Sequence, residues 1–339
     1  MRKSIVFLTV FALVAIMLAG CAAPAPAAVS SSAPAISSAA AASDDIKVAT
    51  ANKKYKIAWI GTSNVDESIK WMATNFEEAI ETAGCEYVTY DPNGDVQKQT
   101  NMVNDAIAAK CDAIIMLPMD KVALIPAVKK GHEAGVKMIM MSGDLDTPGQ
   151  QYRDFFGGPN DTEAGQKAGE AIIAKFPDGA TGVEIMGNAG EDPAVKRETG
   201  FEEAIKGSKI TLLDKQNCKS WDPAVAMSLT EDFITKYGDK IQFIYSHWDN
   251  ASVSIVQALE SKDLLNKVYI VSVDGCRAGF DLVKNDKIAG TMFQNMRNQA
   301  RICTDAAVKL LNGEKLTETT VYDPWIFVTK DKAGFDPGW

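Results

Sequence analysis

Six cysteines and two histidines are the side chains of this 339-residue chain with the readiest nucleophilic or metal-binding chemistry. Their spacing supports little of it. No two cysteines form a CxxC pair, so neither a zinc ribbon nor a thioredoxin motif is suggested. Two histidines leave little room for a His-rich metal site, and no GxSxG elbow, HExxH pair or P-loop occurs. Carboxylate pairs are plentiful, but spacing alone assigns them no general acid–base role. The expectation is a chain that is not an enzyme and that has no cofactor and no metal.

One cysteine stands apart. Met1-Arg2-Lys3 is a positive head, Ile5 to Leu18 is an uncharged apolar run, and Leu18-Ala19-Gly20-Cys21 follows. Positive, apolar and small residues in that order make a secretory signal, too short for a membrane span of about 20 residues. Leu-Ala-Gly-Cys resembles the bacterial lipobox, in which the cysteine is lipidated and becomes the mature first residue. Residues 1–20 are therefore read as a lipoprotein signal peptide, and Cys21 as the lipidation site. Removing Arg2 and Lys3 takes the formal charge from −9 to −11. That balance argues against nucleic acid, which needs a basic surface. Residues 22–43 are almost entirely Ala, Ser, Pro and Val, so 21–53 reads as a flexible tether that gives an anchored body slack. The remaining Cys85, Cys111, Cys218, Cys276 and Cys303 sit in or beside apolar elements and read as free structural thiols.

The body alternates strand and helix. Lys56–Ile60 is a short apolar strand ending at Gly61. Residues 66–83 place Ile69, Met72, Phe76 and Ile80 on one helical face and stop at Gly84. Strands are expected at 86–90, 112–117 and 136–141, with helices at 95–110 and 121–134 between them. After a pause at 143–158 the series restarts. Helices are expected at 161–175, 193–206, 223–236 and 249–260, and strands at 182–186, 209–213, 241–245 and 267–272. Strand 288–293, helix 295–312 and an extended piece, 321–329, close the chain. Short connections between alternating elements predict parallel sheets with helices on both faces. Two such α/β units facing each other make a cleft at the carboxyl ends of their strands.

Several segments in this order carry a resemblance. They are Arg197-x-x-Gly200-Phe201, the run Ile270-Val271-Ser272-Val273-Asp274-Gly275, and Ala289-Gly290-Thr291 leading to Gln294. With their spacing, the body from residue 54 to about 331 resembles the ribose-binding branch of bacterial periplasmic sugar-binding proteins. That family shares its fold with the effector domains of lactose-repressor-type regulators, but a lipid signal precedes the body here instead of a DNA-binding headpiece. The resemblance implies two similar doubly wound parallel-sheet lobes joined by a three-strand hinge, 54–159 plus 295–325 and 160–294 plus 326–339, closing on ligand by hinge motion.

The resemblance also implies site positions. A sugar offers C–H faces and hydroxyls, so its site needs aromatic faces and planar polar groups. Asp66 falls where the family often has a sugar-binding Asn, and it reads equally as a helix N-cap. Ser68 and Ile69 replace the family's aromatic pair. Trp71, a turn further on, is a candidate ring or a packing residue. Ser142-Gly143-Asp144 replaces the family's Asp followed by Arg or Ser, with Asp144 the candidate carboxylate or a turn residue. Asn160 and Asp161 sit at the first crossover, as ligand contacts or as hinge and cap residues. Arg197 is a ligand donor or an ion-pair partner, and Val195 replaces a second arginine. Trp221 matches a ring that stacks on sugar. Trp248-Asp249 replaces Asn-Asp, with His247 beside it read as a neutral loop residue. Asp274 and Gln294 match ligand-binding positions.

Several Asp around one Arg disfavour anionic ligands and permit neutral sugars or polyols, and would tolerate a cation. The expected role is the substrate-binding lipoprotein of an ABC importer, a monomer that binds a neutral sugar or polyol, docks on permease membrane subunits and meets the membrane through its lipid alone. It would sit in the periplasm or on the outer face of the cytoplasmic membrane. The alternatives are a ligand-presenting co-receptor for a chemoreceptor or sensor kinase, and an amine or nucleoside as ligand.

Overall fold

The structure is a computed structural model that describes residues 46–339. The expected signal peptide, the expected lipidation site Cys21 and most of the expected tether lie outside the described residues. Twelve strands form two six-stranded sheets among the described residues.

The first sheet contains β1 (Lys56–Ile60), β2 (Glu86–Tyr90), β3 (Ala113–Met116), β4 (Lys137–Met141), β5 (Phe155–Pro159) and β11 (Thr320–Asp323). Its order is β11-β5-β4-β3-β1-β2, all parallel. The second contains β6 (Ala180–Met186), β7 (Ile210–Asn217), β8 (Phe243–Ser246), β9 (Tyr269–Asp274), β10 (Gly290–Phe293) and β12 (Ile326–Val328). Its order is β12-β10-β9-β8-β6-β7. The two orders correspond strand for strand. They differ at the edge, because β12 pairs antiparallel with β10.

Among the described residues nine α-helices cover the sheets: α1 (Glu67–Ala83), α2 (Val96–Ala108), α3 (Ile125–Glu133), α4 (Asp161–Lys175), α5 (Asp192–Ile205), α6 (Pro223–Tyr237), α7 (Asp249–Glu260), α8 (Arg277–Lys284) and α9 (Met296–Leu311). Alternation along each strand feeds cores on both faces of a sheet. In β1, Ile57 and Trp59 join the core that contains Phe76 and Ile80 of α1 and Cys303 and Ala307 of α9. Ala58 and Ile60 point the other way, to Val103 of α2 and Val128 of α3. Such two-sided burial explains why these strands read as continuous apolar runs.

Two elements escaped the sequence reading. Strand β5 ends in Gly157-Gly158-Pro159, a composition that signals a turn. Burial selects those glycines instead, since a Cβ on Gly158 would lie 2.8 Å from the Ser142 backbone. Helix α8 was not foreseen at all. The extended piece at 321–329 is split by Pro324-Trp325 into β11 and β12, which belong to different sheets. The five cysteines from Cys85 to Cys303 are free thiols, four of them buried.

The closest helix pair is α4 against α5. A Cβ on Gly165 would sit 2.1 Å from the Arg197 carbonyl oxygen, and one on Gly200 would sit 2.0 Å from that of Thr162. Backbones therefore touch, and this contact sets Asp161 and Arg197 side by side. Gly165→Ala should cost about 1–3 kcal/mol through overpacking. Gly334→Ala, where nothing lies within 4 Å of the added carbon, should stay within about 0.5 kcal/mol. Urea unfolding midpoints of the two variants check this.

Candidate ligand-binding cleft

The chain passes between the sheets around residue 160, at 294–295 and at 324–325. Each sheet reverses its strand order beside its first strand, at β1/β3 and at β6/β8, the places where open α/β sheets bind ligands. A cavity of about 50 Å³ lies there. A second cavity, of about 770 Å³, shares Asp66 and Trp221 with it.

The lining comes from strand ends and the turns that follow them. After β1 come Thr62, Asp66, Ser68, Ile69 and Met72, and after β3 and β4 come Leu117 and Ser142. The second lobe supplies Glu191, Pro193, Arg197, Trp221, Trp248, Asp274 and Gln294. Seven of the ten positions proposed from sequence therefore meet in one cavity: Asp66, Ser142, Arg197, Trp221, Trp248, Asp274 and Gln294.

Three of these seven have left-handed backbone: Ser142 at φ 67°, Trp221 at φ 51° and Asp274 at φ 113°. Such conformations are costly for side-chain-bearing residues and persist only where the surroundings over-determine them. At Asp274 the surroundings are visible. Asp249, wholly buried, accepts hydrogen bonds from the Cys276 amide at 2.9 Å and the Thr291 hydroxyl at 2.7 Å. Thr291 Oγ1 in turn accepts from the Gly275 amide at 3.1 Å. Gly275 must be glycine, because a Cβ there would meet the Phe293 backbone at 2.5 Å. At Trp221 the indole lies flat over Gly187, whose Cβ would be 1.9 Å from the ring.

Arg197 is 3% exposed. Its Nε donates to Asp161 Oδ1 at 2.7 Å, Nη1 donates to the His247 carbonyl, and Nη1 lies 3.6 Å from Asp274 Oδ1. The guanidinium also lies 5.9 Å from the Trp221 ring and 5.5 Å from that of Trp325. Trp221 and Trp248 meet edge to face at 5.2 Å. Gln294 Nε2 donates to Asp274 Oδ1 at 2.8 Å. Burial pushes the Asp274 carboxyl well above the usual carboxylate range, against the pull of Arg197.

Asp66 caps α1, its Oδ1 accepting from the Ser68 amide at 2.7 Å. Cap and cavity wall are thus one residue. His247 is the neutral residue of the β8–α7 loop expected from sequence, and it is buried. Its Nδ1 accepts from the Gly187 amide at 3.2 Å, which fixes the Nε2–H tautomer and directs that proton to Glu184 at 2.8 Å. Burial, with Arg197 nearby, holds its pKa well below the ordinary value, so the ring is neutral.

Three proposed positions lie outside the lining. Trp71 packs half-buried on the first-lobe core, with Gly338 against its ring. Asp144 is held by Arg153, whose Nε is 2.8 Å from Oδ1, and its amide donates to Asp192 Oδ2 at 3.0 Å. Asn160 caps α4 by accepting from the Glu163 amide, and its carbonyl accepts from Trp325 Nε1 at 2.8 Å. The Asp144–Asp192 bond and a second from the Lys121 amide to the Gly190 carbonyl at 3.2 Å join loops of the two lobes.

Sequence reasoning missed Glu191. It stands at the N-cap of α5 but makes no capping bond. Its Oε2 accepts from Trp221 Nε1 at 2.5 Å and its Oε1 from Asn188 Nδ2 at 3.0 Å. A Glu where Ser, Thr, Asp or Asn is preferred, just beyond a strand, was the available signal. Burial pushes its carboxyl up to about 7, opposed by the Trp221 and Asn188 bonds and helped by the charges of Asp66 and Asp120.

Two α/β lobes around a polar, aromatic cleft define a protein of the two-lobed solute-binding class. A model of the periplasmic binding protein domain matches residues 28–315, and the chain belongs to that family. The chain is 29% identical over 209 residues to the fructose import binding protein FruE of Bifidobacterium longum (strain NCC 2705), covering 60% of this chain and 63% of that one. It is 25% identical over 246 residues to the ribose import binding protein RbsB of Bacillus subtilis (strain 168), covering 72% and 77%. The aligned part thus spans less than two thirds of the fructose protein. Among solved structures, an ABC transporter solute-binding protein from Bacillus halodurans C-125 with bound myo-inositol superposes with TM-score 0.77 at 22% identity, over 84% of this chain and 98% of that one. The fructose-binding periplasmic domain of a hybrid two-component system superposes equally well, with TM-score 0.77 at 19% identity, over 82% and 92%. These likenesses define the fold, and the family is one of binding proteins rather than enzymes.

A buried acid with a raised pKa holds its proton in the native state while the unfolded chain releases it, so it lowers native stability as pH rises from about 4.5 to about 7. Between pH 5 and 7, the melting temperature of Glu191→Gln should fall less than that of the parent. Melting curves at both pH values check the difference.

Proposed function

We propose that the chain is the lipid-anchored solute-binding component of an ABC importer, taking a sugar or sugar-like polyol between its lobes. One observation carries the reading: two tryptophan faces, three carboxylates, an arginine and a glutamine converge at strand carboxyl ends where the two lobes meet. Aromatic faces suit sugar C–H surfaces, and planar polar groups suit hydroxyls. The small cavity suits one ring rather than an oligosaccharide. The relatives named for fructose and ribose import support the same class. In this reading ligand contacts both lobes, stabilises the closed form and shifts the population towards it. The closed protein then docks on permease subunits. No chemical step is required. Lipidation at Cys21 would hold the body on the outer face of the cytoplasmic membrane.

A sensory role is the second reading, supported by the same fold in the domain of a two-component system. Uptake of the bound ligand in cells lacking the partner permease separates the two. Unchanged uptake would remove the transport reading.

The site itself is tested by thermal shift against pentoses, hexoses, polyols, nucleosides and small amines. A native-state ligand at 100 times its Kd adds about 2.7 kcal/mol of stability. We expect a sugar or polyol hit that disappears in Asp274→Ala. A hit confined to nucleosides would overturn the sugar reading and leave the solute-binding class intact.

A further inference from the structure

The cavity is unbalanced in charge and in hydrogen bonding. Asp66, Glu191 and Asp274 line it, and Arg197 is the only cation among its described lining residues. That guanidinium is already paired with Asp161 at 2.7 Å. The nearby lysines are also engaged: Lys121 with Asp146 at 3.1 Å and Lys196 with Asp192 at 2.6 Å. A neutral ligand would bring no cation to the buried acids Glu191 and Asp274, whose charged forms burial disfavours.

Gln294 supplies an independent sign. It is 4% exposed, and its Nε2 is spent on Asp274. Its Oε1 is buried without any hydrogen-bond partner. An orphaned buried acceptor of this kind is destabilising until a donor reaches it. The remaining lone pairs of Asp66 and Asp274 are acceptors too. The donors on the wall are the Thr62, Ser68 and Ser142 hydroxyls, the Trp248 indole N–H and what Arg197 has left, and of these only Arg197 carries charge. The missing partner is a donor-rich group of positive charge beside an aromatic wall. A protonated amine has three donors, no acceptor and an affinity for indole faces.

We propose that the cavity selects a monosaccharide or polyol bearing a protonated amino group, its ammonium held by Asp66, Glu191 and Asp274 and by the free oxygen of Gln294. This rests on the sugar-binding reading and narrows it. Burial pushes Glu191 up to about 7 and Asp274 well above its ordinary range. An ammonium among these carboxylates offsets that cost, which a hydroxyl does not.

Calorimetric titration of the full chain at pH 7.5 with matched pairs tests it: glucosamine with glucose, galactosamine with galactose, and 1-amino-1-deoxysorbitol with sorbitol. In at least one pair the amine should bind about tenfold or more tighter, the difference between a charge-assisted and a neutral hydrogen bond. Its N-acetyl derivative should lose that advantage. Glu191→Gln and, at the more exposed helix cap, Asp66→Asn should each narrow the gap, with native melting curves confirming folding. Neutral members binding as tightly as the amines would overturn the amine assignment and leave the sugar reading standing. Binding of neither member of any pair would overturn both.

Discussion

A single buried guanidinium organises the cleft. Arg197 joins Asp161 at the first crossover, the His247 carbonyl at the end of β8, Asp274 at the end of β9 and the rings of Trp221 and Trp325. A charge removed from water survives only with such partners, and losing one typically costs about 3–5 kcal/mol. The constraint propagates outward. Arg197 reaches Asp161 because α4 and α5 touch backbone to backbone, and they touch because Gly165 and Gly200 carry no side chain. Fold and cleft therefore depend on the same contact. With Arg197 committed to the protein, the carboxylates around it are left to the ligand.

Strain is placed where the ligand would sit. Ser142, Trp221 and Asp274 hold left-handed backbone at the cavity wall. Asp249 shows the bracing most clearly. It sits beside the site, is fully buried, and spends its oxygens on the turn that presents Asp274. Glu191 works similarly on Trp221, fixing the indole by its N–H. Such preorganisation lowers the ordering cost that a ligand must overcome.

Much of the architecture was legible in the chain because parallel strands buried on both faces leave apolar runs, and amphipathic helices leave a 3.6-residue period. Thus β1, β2, α4 and α7 were read to the residue. Where composition and burial disagree, reading failed. The glycines of β5 mimic a turn but serve close packing, and Pro324-Trp325 divides one extended piece between two sheets. At the cleft, residues at strand ends were recoverable by position, as with Asp274 and Gln294. Asp144 and Asn160 also end strands, yet Arg153 and the α4 amide claim them.

The sequence by itself determined the alternation of elements, the duplicated α/β plan, the acidic balance and the residues that could meet a ligand. Periodicity and strand ends are local properties, written within a few turns of chain. Only the tertiary structure decided which carboxylates face the cavity and which are spent. Asp161 and Asp249 are consumed by Arg197 and by the Asp274 turn, while Asp66, Glu191 and Asp274 remain on the wall. That division rests on hydrogen bonds between residues distant in sequence, such as Asp249 with Thr291 and Glu191 with Trp221. Each bond is set by how two sheets and their crossovers pack, which local pattern does not encode.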